Sequence, residues 1–270
     1  MNDFLKKYGP WALVTGANAG IGKAIAHELA ARGLNIVAVA RRQHLLDALK
    51  DELEKEYDIH VDTFALDLTE PDAVEKLDRA TQNKVIGLIV PAAGMAVADE
   101  FTATAPERNT AMAYLNMVVP MQLVQRFAGK MTERGRGGVL LVSSLFAYQG
   151  IPYVANYAAT KAYILTLGEA LHVELGKHGI DVSVLSPGLT DTDMPANLPL
   201  DFSKLPMLYQ SPQKVAKTGV KALGRKPTVV SGWVNKFYAW QNRLIPRSMP
   251  VSLFGFLIRR AFLPHKGAVR

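Results

Sequence analysis

A doubly wound α/β domain built on a parallel sheet is the fold class this sequence predicts, and three observations carry it. Short apolar runs alternate with helical patterns from residue 11 to residue 186. Most of those runs carry apolar residues on both faces, the mark of strands covered by helices on either side. No low-complexity linker, internal repeat or shift of composition breaks the alternation before about residue 190.

Each element follows from its period. Trp11 to Thr15 is a short apolar strand, and Lys23 to Arg32 an Ala/Leu-rich helix. Leu34 to Ala40 reads as a buried strand, Leu45 to Tyr57 as a helix with apolar positions 45, 46, 49 and 53. Val61 to Leu66 is a strand, Asp72 to Thr81 a helix, Val85 to Val90 a strand. Long helices are expected over 106–131 and 154–178, with strands at Val139 to Ser143 and Val182 to Ser186. Residues 189–210 are Pro-rich and irregular, 211–223 is helical, and 233–264 forms a Trp/Phe/Arg-rich extension. The expected organisation is one domain over 1–230, helices on both faces of its sheet, with a basic, apolar helical extension over 231–270.

Composition removes whole classes of chemistry. There are no cysteines, so disulfides, thiolate metal sites and cysteine nucleophiles are out. The six histidines show no metal-ligand spacing, so no metal site is expected. The opening residues lack the pattern of a secretory signal, and no stretch reaches the ~18–20 apolar residues that span a bilayer. A cytoplasmic location is the expectation. The net charge of +7 is asymmetric: residues 202–270 hold 13 Lys/Arg and no Asp/Glu, whereas residues 1–201 hold 18 basic and 24 acidic groups. Basicity belongs to the tail alone.

The segment Thr15 to Gly22, TGANAGIG, follows a strand and opens a helix. Gly16 allows the sharp turn, Gly20 lets backbone approach a pyrophosphate, and Gly22 lets the helix pack closely. Free N–H groups at the helix start then favour the anion. The second strand ends in Ala40-Arg41-Arg42. A carboxylate there would bind a ribose 2′-hydroxyl; two guanidiniums suit a 2′-phosphate instead, which selects NADP(H). In YAATK, Tyr157 and Lys161 lie four apart on one helical face, where an ammonium is expected to lower the phenol pKa from its usual ~10. Ser144 sits just past the strand VLLVS, at the strand end where ligands of such folds bind.

Together these segments resemble the short-chain dehydrogenase/reductase family over about residues 10–193. The TGxxxGIG turn matches Thr15 to Gly22, the strand-end serine Ser144, and the YxxxK pair Tyr157 and Lys161. The helix asparagine matches Asn116 in YLNMVVP, the acidic residue after the third strand Asp67 in ALDLT, and PGxxxT matches Pro187, Gly188 and Thr192. One departure stands out: PAAG, Pro91 to Gly94, replaces the family's NNAG or NAG. Altered local hydrogen bonding is expected there, with cofactor binding kept through Ala93 and Gly94.

The resemblance implies that Tyr157 gives a proton to a carbonyl oxygen while Ser144 stabilises the developing alkoxide. Lys161 holds the nicotinamide ribose and keeps Tyr157 acidic, and Asn116 holds a water of a proton relay. It implies cofactor contacts from Gly16, Asn18, Gly20, Ile21, Gly22, Arg41, Arg42, Asp67, Leu68, Ala93, Gly94, Tyr157, Lys161, Pro187, Gly188, Thr190 and Thr192. It also implies a homodimer or homotetramer through the helices at 106–131 and 154–178.

The substrate loop is expected in 189–210, with Leu145, Phe146, Ala147 and Tyr148 along the pocket. Met194, Leu198, Leu200, Phe202, Leu205, Met207 and Leu208 supply an apolar lid, which favours a hydrophobic ketone or aldehyde. The tail composition suits an interfacial helix at a membrane surface, or a helix packed on the fold or a partner subunit, and packing is the preferred expectation. Nucleic acid is not an expected partner, since no recognised motif accompanies the charge. Two rival readings remain: a membrane-surface reductase of 3-oxoacyl or steroid substrates, and an NADP(H)-sensing module without turnover.

Overall fold

Helix α1 (Asp3–Tyr8) leads into strand β1 (Trp11–Thr15) in the computed structural model, which describes residues 3–241, 244, 246 and 248–262. There follow α2 (Gly20–Ala30), β2 (Asn35–Ala40), α3 (Gln43–Glu56), β3 (Val61–Ala65), α4 (Ala73–Ala80) and β4 (Ile86–Pro91). Next come α5 (Pro106–Ala113), a π-helical turn (Tyr114–Val118), α6 (Val119–Arg134) and β5 (Gly137–Val142). A 3₁₀ turn (Leu145–Tyr148), α7 (Ala155–Gly176), β6 (Ile180–Ser186) and α8 (Asp193–Ala196) come after it. Then come a second 3₁₀ turn (Phe202–Lys204), α9 (Pro212–Ala222), β7 (Thr228–Val230), α10 (Trp233–Gln241) and α11 (Ser248–Ala261).

Among the described residues the strands form one seven-stranded sheet in the order β3-β2-β1-β4-β5-β6-β7, every neighbouring pair parallel. The order reverses direction between β1 and β4. Loops leaving those two strands at their C-terminal ends part to opposite sides and open a crevice, the place where ligands of doubly wound sheets bind. Register pairs Thr15 with Pro91, so the loops of β1 and β4 leave the sheet side by side.

One sheet face packs on α2, α3 and α9, through Ile25, Leu29, Leu46 and Val215. The other packs on α4, α6 and α7, through Leu77, Leu123, Phe127 and Ile164. A third cluster lies beyond the sheet, where Phe254, Ile258 and Ala261 of α11 meet Val154, Leu200, Phe202 and Leu205. The second extension helix thus shares a core with the substrate loop. Its end is tied there as well: the Asp201 N–H donates to the Ala261 carbonyl at 2.7 Å, and Leu200 bridges to Phe262. Residues 242, 243, 245, 247 and 263–270 of the expected extension lie outside the described residues.

The structure departs from the sequence reading in three places. Helix α1 and strand β7 are additional, each too short to establish a period. The expected helix 106–131 is interrupted by the π-turn. Pro120 has no N–H to donate to the Asn116 carbonyl one turn back, and the Val119 N–H reaches five residues back to Tyr114. The swollen turn carries Asn116.

Close approach of α7 to the sheet depends on Gly168, where a Cβ would collide with Val184 Cγ2 and stand 3.0 Å from Leu141 Cδ1. Gly168→Ala should therefore cost about 1–3 kcal/mol by overpacking, despite the better helix propensity of alanine. Urea unfolding measures it; a more stable variant would show that the helix can move away freely.

Candidate active site

A cleft of about 460 Å³ runs from the crevice between β1 and β4 to the loop before α9. Its first wall is the turn after β1. Gly16 has φ +66°, and a Cβ there would lie 2.9 Å from Ala93 backbone atoms. At Gly22 a Cβ would collide with the Gly16 carbonyl, so the turn and the start of α2 are in contact. Gly20 faces Thr192, whose Cγ2 would be 3.0 Å from a Cβ. The N-terminus of α2 has no side-chain cap and no acidic residue in its first turn. Its amides, with Gly20, Ile21 and Gly22 on the cleft wall, therefore present donors and a positive helix end to an anion.

Arg41 and Arg42, both exposed, continue that wall. With the Asn18 amide oxygen turned towards it, Arg42 donates from Nη2 and Nε at 2.7 and 2.9 Å. That fork holds one guanidinium beside the glycine turn. Asp67 lies outside the cleft lining. Its carboxylate accepts from the Thr69 N–H and hydroxyl at 2.9 and 2.7 Å, which together with the nearby charge of Arg41 holds it below the ordinary carboxylate range. The Leu68 side chain is buried in the core.

The PAAG segment has a substitute tie. The Thr15 hydroxyl accepts from the Ala93 N–H at 3.0 Å, joining the loops after β1 and β4 where the family's asparagine would stand. Thr15 opens the TGxxxGIG segment, but the sequence alone assigns no role to its hydroxyl, which stands at the strand end beside the glycine turn.

At the centre stand Ser144, Tyr157 and Lys161, all lining the cleft. The Lys161 ammonium is buried, donates to the Val142 carbonyl at 3.0 Å and lies 5.8 Å from the centre of the Tyr157 ring. Burial pulls its pKa from 10.5 to about 8. Burial also pushes the Tyr157 phenol above its ordinary 10, and a hydrogen bond with Ser144 opposes the rise. This departs from the expected lowering: the cost of taking the phenolate out of water sets the direction of the shift. Ser143 donates to the Lys161 carbonyl at 2.7 Å, anchoring α7 to the end of β5.

Asn116 sits beneath this trio. Its Oδ1 accepts from the Met95 N–H at 3.0 Å, and Nδ2 donates to the Met95 carbonyl at 2.9 Å and to the Thr160 hydroxyl at 3.1 Å. Thr160 in turn donates to the Tyr157 carbonyl at 2.8 Å. Asn116 thereby links the loop after β4 to α7, with one lone pair of Oδ1 left for a further donor. A Cβ on Gly94 would stand 3.1 Å from Asn116 Oδ1 and 3.6 Å from Lys161 Nζ, so a side chain there would crowd the asparagine.

Pro187, Gly188, Thr190 and Thr192 form the opposite wall. The Pro187 carbonyl accepts from the Leu145 N–H at 2.7 Å, and Asn235 of α10 packs so tightly on Gly188 that a side chain is excluded. Of the expected substrate residues, Leu145, Phe146, Met194, Leu198, Phe202 and Met207 line the cleft. The others do not. Ala147 and Tyr148 face the sheet core, Leu200 and Leu205 are buried in the third cluster, and Leu208 is exposed. A 3₁₀ turn spreads successive side chains around its axis, so Leu145 and Phe146 reach the cleft while Ala147 and Tyr148 turn to the core, which a list of apolar residues cannot reveal. Met95, Val154 and Asn197 also line the cleft and were not foreseen.

The parts fit a phosphorylated dinucleotide: an uncapped helix start under a glycine turn, a tethered guanidinium beside it, and side-chain-free backbone at Gly94 next to Lys161. Tyr157 and Ser144 supply two hydroxyl groups at the apolar end.

Comparison with known proteins agrees with this geometry. A family model described as short chain dehydrogenase matches residues 10–201. A 7beta-hydroxysteroid dehydrogenase of Clostridium sardiniense is 32% identical over 254 residues, covering 94% of this chain and 97% of that protein. The structure from a study of 7beta-hydroxysteroid dehydrogenase stereoselectivity superposes with a TM-score of 0.86 at 28% identity, covering 94% of this chain and 100% of that one. A short-chain dehydrogenase from Sphingobium yanoikuyae in complex with NADPH gives a TM-score of 0.78 at 26% identity, covering 87% and 94%.

The depressed Lys161 pKa has a consequence for stability. Between about 8 and 10.5 the unfolded chain carries a proton on this amine that the native state lacks, so native stability gains with rising pH across that window. Below about 8 the buried cation is a standing cost. Lys161→Met should remove it, leaving the variant more stable than the parent at neutral pH by about 2–3 kcal/mol, an advantage that shrinks towards pH ~10. Urea unfolding of both proteins across the range checks this; an unchanged difference would mean the amine is not depressed.

Proposed function

The chain belongs to the short-chain dehydrogenase family and is an oxidoreductase acting between alcohol and carbonyl; we propose that its substrate is a bulky apolar ketone or secondary alcohol and that it uses NADP(H) in preference to NAD(H). The observation that carries this reading is the arrangement of Ser144, Tyr157 and Lys161 at the apolar end of a cleft whose other end is the glycine turn with Arg42.

Gly16, Asn18, Gly20, Ile21 and Gly22 would hold the pyrophosphate, Arg41 and Arg42 the 2′-phosphate, and Asp67 and Leu68 the adenine side. Ala93, Gly94, Lys161, Pro187, Gly188, Thr190 and Thr192 would hold the nicotinamide half. When bound, that group supplies or takes up hydride. Everything else falls to the chain. Tyr157, a phenol whose burial further favours the protonated form, gives its proton to the carbonyl oxygen during reduction. Ser144 donates a second hydrogen bond to the same oxygen. Lys161, charged below about pH 8, stabilises the tyrosinate left behind. Asn116 holds the loop and α7 in place, and its remaining Oδ1 lone pair takes a water that returns the proton.

The substrate class is supported by the wall of Leu145, Phe146, Val154, Leu189, Met194, Leu198, Phe202 and Met207, and by likeness to dehydrogenases whose names specify a steroid. A rigid alicyclic ketone of steroid size suits such a wall better than a sugar or small acid. A homodimer or homotetramer through α5, α6 and α7 is supported by the exposed Tyr163 and Val173 of α7. We also infer a cytoplasmic location with peripheral contact at a membrane surface. No helix among the described residues is long and apolar enough to cross a membrane.

Two outcomes are expected. Fluorescence titration should give tighter NADPH than NADH binding, and Arg42→Ala should weaken NADPH alone by about 10–100-fold, the worth of a charge-assisted fork. Equal losses for both nucleotides would remove the 2′-phosphate assignment. Tyr157→Phe should lower reduction of a bulky cyclic ketone by about a thousandfold or more while leaving NADPH affinity within a few-fold. A variant that turns over normally would show that the acid lies elsewhere.

A further inference from the structure

The site described above leaves the outer sides of the last two helices without a role. On α10, Trp233, Phe237 and Trp240 are 79%, 57% and 55% exposed; on α11, Met249, Leu253 and Phe256 are likewise exposed. Spacings of four and three place each trio along one side of its helix. The inner sides are already used: Asn235 and Ala239 are buried on α10, and Pro250, Phe254, Ile258 and Ala261 on α11. The fold therefore does not need the outer rows. Leu244, between the helices, is exposed as well, and the Tyr238 and Phe254 rings meet edge-on at 6.4 Å, joining the two helices. Apolar exposure on this scale marks a contact surface.

Resting on the proposed peripheral contact at a membrane surface, we propose that the outer faces of α10 and α11 dock on an anionic lipid bilayer. Charge selects this occupant. Lys236, Arg259 and Arg260 are exposed on the same helices, Arg260 lies 5.3 Å over the Phe256 ring, and the sequence has no Asp or Glu after Asp201. A second copy related by a two-fold axis would bring this patch against itself, cation facing cation with no carboxylate on either helix to offset them. Anionic headgroups supply the missing sign, and tryptophan, phenylalanine and arginine are the side chains suited to the headgroup boundary. Location fits the substrate class too. Tyr238 and Phe254 line a small cavity together with Leu145, Phe146 and Met207, which also wall the cleft. The docking helices thus back onto the end of the site that takes apolar substrates, molecules that concentrate in lipid.

The test is co-sedimentation of the full chain with phosphatidylcholine vesicles, with and without about 30% phosphatidylglycerol. Binding at least tenfold stronger to the anionic vesicles and weakened by salt is expected. Trp233→Ser/Phe237→Ser/Trp240→Ser and Arg259→Glu/Arg260→Glu should each abolish most of it, with unfolding midpoints close to the parent because every altered side chain is exposed. Equal or absent binding to both vesicle types would overturn the proposal, as would binding unchanged in both variants. So would sedimentation velocity showing that the parent is a dimer that the triple variant dissolves, which would assign the patch to a second copy. None of these readouts uses turnover, so the reductase reading and the docking surface fail separately.

Discussion

The arrangement of the site depends on one buried cation. Lys161 is held out of water against the end of β5 by the Val142 carbonyl, and its own carbonyl is held by Ser143. An ammonium in such a place is costly unless its surroundings are fixed, because its few partners must substitute for a hydration shell. The neighbouring structure supplies that fixity. The π-turn projects Asn116 into the loop after β4, Thr160 ties Asn116 to the Tyr157 turn of α7, and the loops beyond β5 and β6 are joined by the Leu145–Pro187 bond. Polarity at the centre is thus a network whose members orient one another.

Most of this architecture was legible in the sequence, because its grammar is local. Strands such as Leu34 to Ala40 announce burial by composition, and the glycine turn and the YxxxK helix are fixed by spacing within single elements. What was not legible depends on contacts between elements. Pro120 in YLNMVVP announces that the Asn116 carbonyl loses its helical partner, but not that the turn widens until the Val119 N–H reaches Tyr114. Nor does apolarity distinguish Met207, on the cleft, from Leu205, two residues away in the core. The direction of the Tyr157 shift escapes the sequence for the same reason: a spacing rule registers the nearby charge and misses the burial of the phenol.

The PAAG segment shows how a motif can be lost while its task persists. An asparagine would join two loops through its side chain; here Thr15 and the Ala93 amide make the join from the other strand. The register pairing Thr15 with Pro91 makes the exchange available, since the two loops begin at the same height on adjacent strands. Tasks in this crevice belong to positions in space, and either loop can supply the atom.

The knot between α11 and the substrate loop bears on the timing of turnover. Because the Asp201 amide is bonded to Ala261 and Leu200 bridges to Phe262, the loop cannot swing out alone without stranding a donor and uncovering Phe202 and Leu205. Loop and helix must therefore move as one body, heavier and slower than a free loop of the same length. Product departure would then be governed by how firmly α11 is seated. A constraint placed on α11, far from the reacting atoms, would slow the whole cycle and leave the proton chemistry untouched.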